Sequence, residues 1–524
     1  MTRPHRHAGP SRRRLLQAAA ATLAGGTLPA AGLAATTPPR SGPPVARREP
    51  VTETFFGRRV TDPYRWMEDP KDADWEPFMR GQDAHARRVL GAIPGRERLR
   101  QRIGELSGGT AIVYGVQSAG GKVFYQVRPA GADNFQLAVR DGLRGAERIL
   151  IDPTTMKGDG GVHVSLDWWL ASPDGALVVY GLSPAGSENS VLHVMEVATG
   201  LVRPLRIAGT QYASPSWLPD GTGFFYSRVA DPARLGSVDY YLNGPRLLHR
   251  LGRDPKDDAV VMVRGLDPAV TVDEKEFPIV IAPRRGDFAL LQLQGGVRRE
   301  NPLYVAPLAD VLAGRAAWKP VCTIADQVVD FAYDDRHLYL LSTQGAENGR
   351  VLRTPLAEAR FAGAEVVVPE GPLVIETIAM ARDGLYLKDL DGGYHGLRKL
   401  DRQGRLAPVP LPWEGSIDGL ATNPTEDGLF LDGSGWLLPY TTFRHDPASG
   451  RTEPAGLAPP STLDLGAYEA QRLTVTARDG TRVPLSVVAK KGLPRDGRNP
   501  TLVQAYGSYQ ISINPYFSPR TLAF

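Results

Sequence analysis

The sequence predicts a mainly β fold, a seven-bladed β-propeller, from three observations. One unit recurs seven times: a turn of Gly or Asp residues, then a short apolar strand that usually contains Tyr or Phe. Successive turns lie roughly 44 to 54 residues apart, with one interval of about 66. No helical period accompanies the repeat. A period in the forties with turns, strands and aromatic residues is typical of propeller blades.

The seven repeated segments share the chemistry of a hairpin. Asp-Gly supplies the positive φ of a tight turn, and the apolar residues that follow bury their strand between neighbouring blades. An array of β-sandwiches or separate all-β domains would also use such turns, but the even spacing favours the propeller. The segments are GGKVFYQV at 120, SPDGALVVYG at 172, LPDGTGFFYS at 218, RRGDFALLQL at 284, YDDRHLYLLS at 333, ARDGLYLKDL at 381 and TEDGLFLDGS at 425.

The N-terminus predicts an export signal at residues 1–35. A basic start with the pair Arg12 and Arg13 precedes a run that is poor in charge and rich in Ala and Gly. A transmembrane anchor is the alternative, but Gly25 and Pro29 break the run before it reaches the ~20 apolar residues that a bilayer needs. We therefore expect twin-arginine export, a periplasmic or secreted protein, and no stable membrane insertion after the signal is cleaved.

Charge and cysteine content argue against two kinds of site. The formal net charge is +4 and the basic residues are spread along the chain, which is not the pattern of a nucleic-acid-binding protein. Cys322 is the only cysteine among the 524 residues, so they can form neither an internal disulfide nor a Cys-based zinc site. We expect no cofactor and no metal.

The composition changes outside the repeat region. Residues 36–50 are rich in Pro and predict a linker, residues 51–110 become globular with a helical apolar pattern, and the propeller is expected at 111–460. Residues 461–524 start with two alternating runs joined by an Asp-Gly turn, which predict a hairpin. The continuous apolar run TLVQAYGSY that follows predicts a strand buried on both faces, as in an α/β sheet, where active sites gather at strand ends.

Four segments of the chain resemble the prolyl oligopeptidase family, including the oligopeptidase B group. They are DPYRWMED (62–69), LHRLGRDPKDDAVV (248–261), ENGRVLR (347–353) and RDGTRVPLSVVAKKGLPRDGRNPTLVQAYGSY (478–509). The resemblance implies that the propeller is inserted in an α/β-hydrolase domain, which 51–110 and 461–524 would form. It also implies that the propeller restricts access to short peptide substrates. We expect a monomer.

The resemblance further implies acyl transfer by a Ser, Asp and His triad. In α/β-hydrolases the serine lies on a G-x-S-x-G turn, and the aspartate and histidine follow it along the chain. The sequence contains no G-x-S-x-G; GLSPAG at 181 comes nearest, but it lies in a predicted blade. We therefore expect a hydrolase domain that is incomplete at its C-terminus, and no peptidase activity of this chain alone.

Two tyrosines are assigned to the active site by the same resemblance. Tyr506, in AYGSYQ, matches the family's oxyanion-hole tyrosine, whose hydroxyl donates a hydrogen bond to the tetrahedral intermediate. Gly507 is expected to let the backbone turn sharply there. Tyr509 matches the aromatic wall of the pocket for the substrate residue before the cut bond. Without the resemblance, packing or capping at a strand end would explain both tyrosines equally well.

Two functions of different classes remain open. The first is a serine-type oligopeptidase or endopeptidase that hydrolyses short peptides. The second is a non-catalytic, exported β-propeller that binds peptides or a protein partner. The apolar, uncapped run that closes the sequence favours the first, because a last strand selected to stop there should be capped or solvated.

Overall fold

The structure is a computed structural model, which describes residues 42–108, 110–237, 239–509 and 511–524. The predicted export signal, residues 1–35, and the first part of the predicted linker lie outside the described residues. Residues 43–50 contain no helix or strand. The chain divides into two compact units after Glu97. Within the described ranges, no helix is long and apolar enough to cross a bilayer.

The first unit contains one hairpin and helical segments. Trp66 anchors this unit, because its indole is buried, donates to the Arg47 carbonyl at 2.9 Å and meets the Phe78 ring edge-on at 5.7 Å. Its elements are β1 (Val51–Phe55), β2 (Arg58–Asp62), a 3-10 turn (Arg65–Glu68), α1 (Trp75–Gly91) and the first residues of α2 (Arg96–Gly108).

The second unit contains six four-stranded antiparallel sheets and one three-stranded sheet, each built from consecutive strands. These are the seven blades, so the predicted fold class is confirmed. Blades one to three are β3 (Ile112–Ala119), β4 (Lys122–Arg128), β5 (Gln136–Asp141) and β6 (Arg148–Ile151); β7 (Val164–Ala171), β8 (Leu177–Pro184) and β9 (Val191–Glu196); and β10 (Ser216–Trp217), β11 (Gly223–Ser227), β12 (Arg246–Arg250) and β13 (Ala259–Met262).

Blades four to seven have the same order of strands. They are β14 (Glu276–Ile281), β15 (Phe288–Gly295), β16 (Leu303–Pro307) and β17 (Lys319–Cys322); β18 (Val328–Tyr333), β19 (His337–Ser342), β20 (Arg350–Pro355) and β21 (Glu365–Val368); β22 (Val374–Ala381), β23 (Gly384–Asp391), β24 (Tyr394–Asp401) and β25 (Leu406–Pro408); and β26 (Ser416–Thr422), β27 (Leu429–Gly435), β28 (Leu438–Asp446) and β29 (Arg451–Pro454). Helix α3 (Leu308–Leu312) follows β16.

Each of the seven repeated segments forms the turn after the first strand of a blade and the second strand itself. The second strand of each blade packs against neighbouring blades on both faces, so it begins with a run of buried, mostly apolar residues. In the second blade, two isolated bridges, Leu192 to Ile207 and Met195 to Val202, take the place of a regular fourth strand.

The core consists of seven apolar clusters, one between each pair of neighbouring blades. Between the first two blades, Phe124 packs against Trp169 with ring centroids 6.4 Å apart. In the cluster between the second and third, the Trp217 and Phe224 rings of the third blade meet edge-on at 5.2 Å, and the Trp217 indole donates to the Leu170 carbonyl of the second blade at 3.2 Å. The tryptophans beside the blade turns are therefore packing residues.

The ring closes where the seventh blade meets the first. Each sheet of the described ranges uses only consecutive strands. No strand from those ranges is therefore exchanged at the closure, and side chains make the contacts. The Asn423 amide donates to the Ser118 carbonyl at 3.0 Å, and the Thr442 hydroxyl lies 3.2 Å from the Val113 carbonyl. Arg140 of the first blade donates to a carbonyl that follows the last strand, at 3.1 Å. We call this contact the seam.

A half-buried carboxylate at the seam makes the stability of the fold depend on pH. Burial is the main cause that raises the pKa of Asp432 to about 6, and the nearby Asp418 charge adds to it, although Thr442, Tyr440 and the Gly115 amide donate to the carboxylate. Because the pKa of Asp432 in the folded state lies above the ordinary value, protonated Asp432 stabilises the folded protein. This contribution to the free energy of unfolding is complete below about pH 4 and is lost as pH rises through 6.

We expect Asp432→Asn to remove this part of the pH dependence. Between pH 4 and pH 7.5 the free energy of unfolding of the wild type should fall by roughly 2–3 kcal/mol relative to that of the variant. Thermal unfolding of both proteins across that range checks the prediction, because all other titrating groups are shared. If the melting temperatures of the two proteins changed with pH in the same way, ionisation of Asp432 would not destabilise the fold.

After the propeller, β30 (Tyr468–Thr476) and β31 (Arg482–Lys490) form the predicted hairpin. Helix α4 (Pro519–Ala523) lies near the end, and the Ser518 hydroxyl caps it by accepting from the Thr521 amide at 3.2 Å. Short 3-10 helices complete the described elements at Pro153–Thr155, Asp159–Gly161, Pro232–Arg234, Pro255–Asp257, Ile324–Asp326 and Leu356–Glu358.

Candidate active site

The two candidate tyrosines lie in the loop between the β30–β31 hairpin and α4. Tyr506 is 52% exposed and Tyr509 is 61% exposed. Within the described part of the chain, neither side chain has a hydrogen-bond or ring partner, and their rings do not contact each other. Both therefore face solvent and are available to a ligand.

The local backbone differs from the predicted one. Residues 501–507 form no strand and are exposed, Val503 for example by 81%. The predicted buried strand is wrong for this structure, because no neighbouring strand among the described residues supplies partners for its backbone amides and carbonyls. The left-handed residue is also not Gly507 but Tyr509, which has φ +53°. A bulky side chain in this conformation is strained.

The end of the loop is fixed on the seventh blade. The Pro515 carbonyl accepts from the Ser416 hydroxyl at 2.6 Å and lies 3.4 Å from the Ser434 hydroxyl. The neighbouring Tyr516 lies with its ring 5.5 Å from the Trp436 ring, and its hydroxyl donates to Gln504 at 3.3 Å. The last of these contacts joins the anchored part of the loop to the residues just before Tyr506.

The β30–β31 hairpin is fixed on the sixth blade. Arg472 of β30 donates to the Asp391 carbonyl at 2.6 Å and pairs with the Asp391 carboxylate at 2.9 Å. The same guanidinium lies over the Tyr394 ring at 4.8 Å. The hairpin and the loop therefore both contact the end of the ring where the first strands of blades six and seven begin.

A polar network that the sequence reasoning missed lies at this end of the ring. The His395 side chain is buried, and its Nδ1 accepts from the Ile417 amide at 2.8 Å. The ring proton is therefore on Nε2, which donates to Glu376 at 2.8 Å. Lys388 pairs with the same carboxylate at 3.2 Å. Burial raises the pKa of Glu376, but the His395 hydrogen bond and the Lys388 charge outweigh it and hold that pKa below the ordinary value. Asn514 approaches His395 Nε2 at 3.4 Å, which brings the loop to this network.

Acidic residues recur at one position of the innermost strands. Asp167, Glu376 and Asp418 are each the extra residue of a β-bulge in the first strand of a blade. A bulge re-aims its side chain, and Asp167 and Asp418 accept from Ser183 at 2.9 Å and from Ser434 at 2.6 Å. An acidic residue shortly before three of the repeated segments was the available signal, but the bulges are not visible in a sequence.

The chemistry of these groups is that of a binding and stabilising surface. Among the described residues, no serine is hydrogen-bonded to a histidine, and no cluster of His, Cys, Asp and Glu could hold a metal ion. The serines that meet carboxylates have no histidine beside them, and a carboxylate is too weak a base to take their proton, so they are not activated nucleophiles. An exposed phenol such as Tyr506 can donate a hydrogen bond to a developing oxyanion.

Comparison with known proteins agrees with this architecture. A family model described as the prolyl oligopeptidase N-terminal beta-propeller domain matches residues 43–456. The prolyl endopeptidase of Elizabethkingia meningoseptica is 26% identical over 486 residues, which cover 91% of this chain and 65% of that protein. The prolyl endopeptidase of Elizabethkingia miricola is 25% identical with the same coverage. The chain thus spans about 65% of the length of these curated relatives.

Solved structures of the same kind superpose on most of the chain. A structure from an analysis of two prolyl endopeptidases is 28% identical, has a TM-score of 0.79 and covers 90% of this chain and 68% of that one. Prolyl oligopeptidase B from Galerina marginata, bound to a 35mer hydrolysis and macrocyclization substrate, is 19% identical with a TM-score of 0.79, a likeness of fold alone. Because the family model matches most of the sequence, the chain belongs to the prolyl oligopeptidase family.

Proposed function

We propose that this protein is a serine peptidase that hydrolyses short peptides, with the propeller limiting access to the site. The observation that carries the proposal is the match of residues 43–456 to the family's propeller, together with relatives named prolyl endopeptidases. Tyr506 then supplies one oxyanion donor, and Tyr509 forms a wall for the residue before the cut bond. An aromatic wall of this kind stacks well on proline, the preference that the relatives' names state.

The nucleophile, the aspartate and the base are proposed to lie outside these 524 residues. Two observations support this: the sequence has no G-x-S-x-G, and the matched relatives are longer than the chain. Residues 51–110 and 461–524 would then be parts of one hydrolase domain around the propeller at 111–460. Without its triad the chain alone hydrolyses no peptide at a useful rate. We also propose that residues 1–35 direct twin-arginine export to the periplasm or the medium, and that the protein is a monomer.

The DNA downstream of codon 524, read in three frames, tests where the triad lies. A glycine-flanked serine followed by an aspartate and a histidine supports the proposal, and their absence favours a non-catalytic propeller that binds peptides. A fluorophosphonate probe tests the chain itself. We expect no specific labelling of the 524-residue protein, and a labelled serine would contradict the proposed location of the nucleophile.

The role of Tyr506 is testable in the product of a reading frame that includes the triad. We expect Tyr506→Phe to lower kcat about 100-fold on a peptide anilide with proline before the cut bond, because one oxyanion donor is lost. KM should change little, since the donor acts on the transition state. Tyr516→Phe in the same loop is the matched control and should keep most of the activity. Equal kcat values for both variants would remove Tyr506 from the oxyanion hole.

A further inference from the structure

A cavity of about 400 Å³ lies among the innermost strands of blades two to five. It is formed where β7, β14 and β18 end and where β10 lies, and its walls include Trp169, Trp217, Arg284 and Tyr333. The innermost strands of a propeller run the same way along its axis. The cavity is therefore at the opposite end of the ring from the strand starts that the C-terminal hairpin and loop contact.

The cavity contains a guanidinium group without an ionic partner. Arg284 is half-buried, and in the described part of the chain it has no ion pair or hydrogen bond. Burial lowers the pKa of Arg284, while the Glu426 carboxylate acts on it only at a distance. Glu426 is itself occupied, because it accepts from the Asn423 amide at 2.9 Å. The donors of Arg284 are thus available to a ligand.

Two hydroxyl groups add donors to the same cavity. Tyr333 lies near enough to Arg284 for its charge to act on the phenol, and no partner for its hydroxyl is present among the described residues. Ser216 accepts from the Ala282 amide at 3.0 Å, which leaves its own proton free to be donated. A guanidinium and two hydroxyl donors in the walls of one cavity are groups that suit an anionic oxygen pair.

The remaining walls are apolar and flat. Trp169 and Trp217 are almost fully buried, and Pro173 and Pro215 lie beside them. The Trp217 indole donates to the Leu170 carbonyl at 3.2 Å, so this ring offers the cavity only its apolar surface. A ligand that fills this space needs an apolar or aromatic body next to its charge.

The wall before β10 is held in a strained shape. Ser214 has φ +40°, which a residue with a side chain rarely adopts. The fully buried Arg246 donates to the carbonyls of Ala213 and Ser214, both at 3.0 Å, and fixes this turn from behind. Strain that the surrounding structure maintains is found at preformed ligand sites.

We propose that this cavity binds a carboxylate carried by an apolar or aromatic peptide residue, with Arg284 and Tyr333 donating to the carboxylate oxygens. A single negative charge suits the site better than phosphate, because Glu426 lies close enough to oppose a second charge. The carboxylate comes either from a peptide C-terminus or from an acidic side chain. The site goes beyond the proposed peptidase function and does not depend on the triad.

Isothermal titration calorimetry with the 524-residue protein and three peptides tests the proposal. N-acetyl-Ala-Ala-Phe with a free C-terminus carries a terminal carboxylate, its C-terminal amide carries none, and N-acetyl-Phe-Glu-amide carries only a side-chain carboxylate. We expect at least one carboxylate peptide to bind about 10-fold more tightly than the neutral amide. Which one binds identifies the source of the carboxylate. Equal binding of all three, or no saturable binding, would overturn the proposal.

Variants of neighbouring residues separate this site from general charge effects. Arg284→Gln should weaken the bound carboxylate peptide about 10-fold, and Tyr333→Phe should weaken it a few-fold. Arg285→Gln removes the same charge one residue further along, on an exposed side chain that does not line the cavity, and should leave binding unchanged. Because Arg284 makes no ion pair or hydrogen bond in the described part of the chain, its variant should have the same melting temperature as the wild type. Equal affinities for the Arg284 and Arg285 variants would contradict the assignment.

Discussion

Replacing Arg246 with methionine is expected to lower the free energy of unfolding of the propeller by about 3–5 kcal/mol. Arg246 is completely buried, and no acidic residue in the described part of the chain pairs with it. Its guanidinium instead donates to Ala213 and Ser214 carbonyls, to the Ser227 hydroxyl at 3.2 Å and to the Val280 carbonyl at 2.7 Å. Methionine fills similar space but donates nothing, so the four hydrogen bonds from the guanidinium to these acceptors are lost.

The Val280 contact makes Arg246 a bridge between blades three and four. Its loss should therefore reduce cooperativity between these blades as well as stability. The expected change in melting temperature is roughly 5–10 °C downward, measured by calorimetry. Arg250→Met, in the same strand, is the matched control; that arginine is only half-buried and donates to Thr222 at 3.3 Å. If both variants melted together, the buried hydrogen bonds of Arg246 would contribute no net stability.

Gly120→Ala is expected to destabilise the contact between the first two blades by about 3 kcal/mol or more. A Cβ at Gly120 would lie 1.8 Å from the Asp174 carbonyl oxygen and 2.4 Å from its carbon, both backbone atoms. Gly120 also has φ +56°, which alanine tolerates poorly. The turns of two blades would have to separate, and no side-chain rotation relieves the overlap.

The neighbouring glycine provides the control for this substitution. Gly121 has φ +74°, but a Cβ there would meet nothing within 4 Å. Gly121→Ala should therefore cost about 1 kcal/mol, the conformational penalty alone. Urea unfolding followed by tryptophan fluorescence compares the two, and the midpoint for Gly120→Ala should be lower by roughly 1 M. Equal midpoints would mean that the two blade turns can move apart freely.

The propeller could be predicted from the sequence because its signals are local. A Gly or Asp turn followed by an apolar strand is decided by a few adjacent residues, and each such segment became the second strand of a blade. Packing of Trp169 and Trp217 between blades follows from the same pattern. The predicted hairpin after the propeller also formed, since alternation and an Asp-Gly turn specify it locally.

The remaining features depend on residues far apart in the chain. The acidic bulges change the register of the innermost strands, which alternation alone does not reveal. Arg284 and Tyr333 reach one cavity from different blades, and the sequence offers no signal that joins them. The apolar residues around Tyr506 can form a strand only where neighbouring strands pair with them. Their apolar pattern therefore predicted a strand that this structure does not contain. The roles of Tyr506 and Tyr509 remain predictions.

The seam affects how the protein folds while it is being synthesised, because it joins the first blade to the last. The contact between Asn423 and Ser118 joins residues 305 positions apart in the chain. At a synthesis rate of 5–20 residues per second, the first blade waits roughly 15–60 s before its last neighbour emerges from the ribosome. During that interval one apolar face of the newborn blade, which includes Val113 and Tyr125, has no cover. A nascent chain of this design therefore needs protection from aggregation for longest at its beginning.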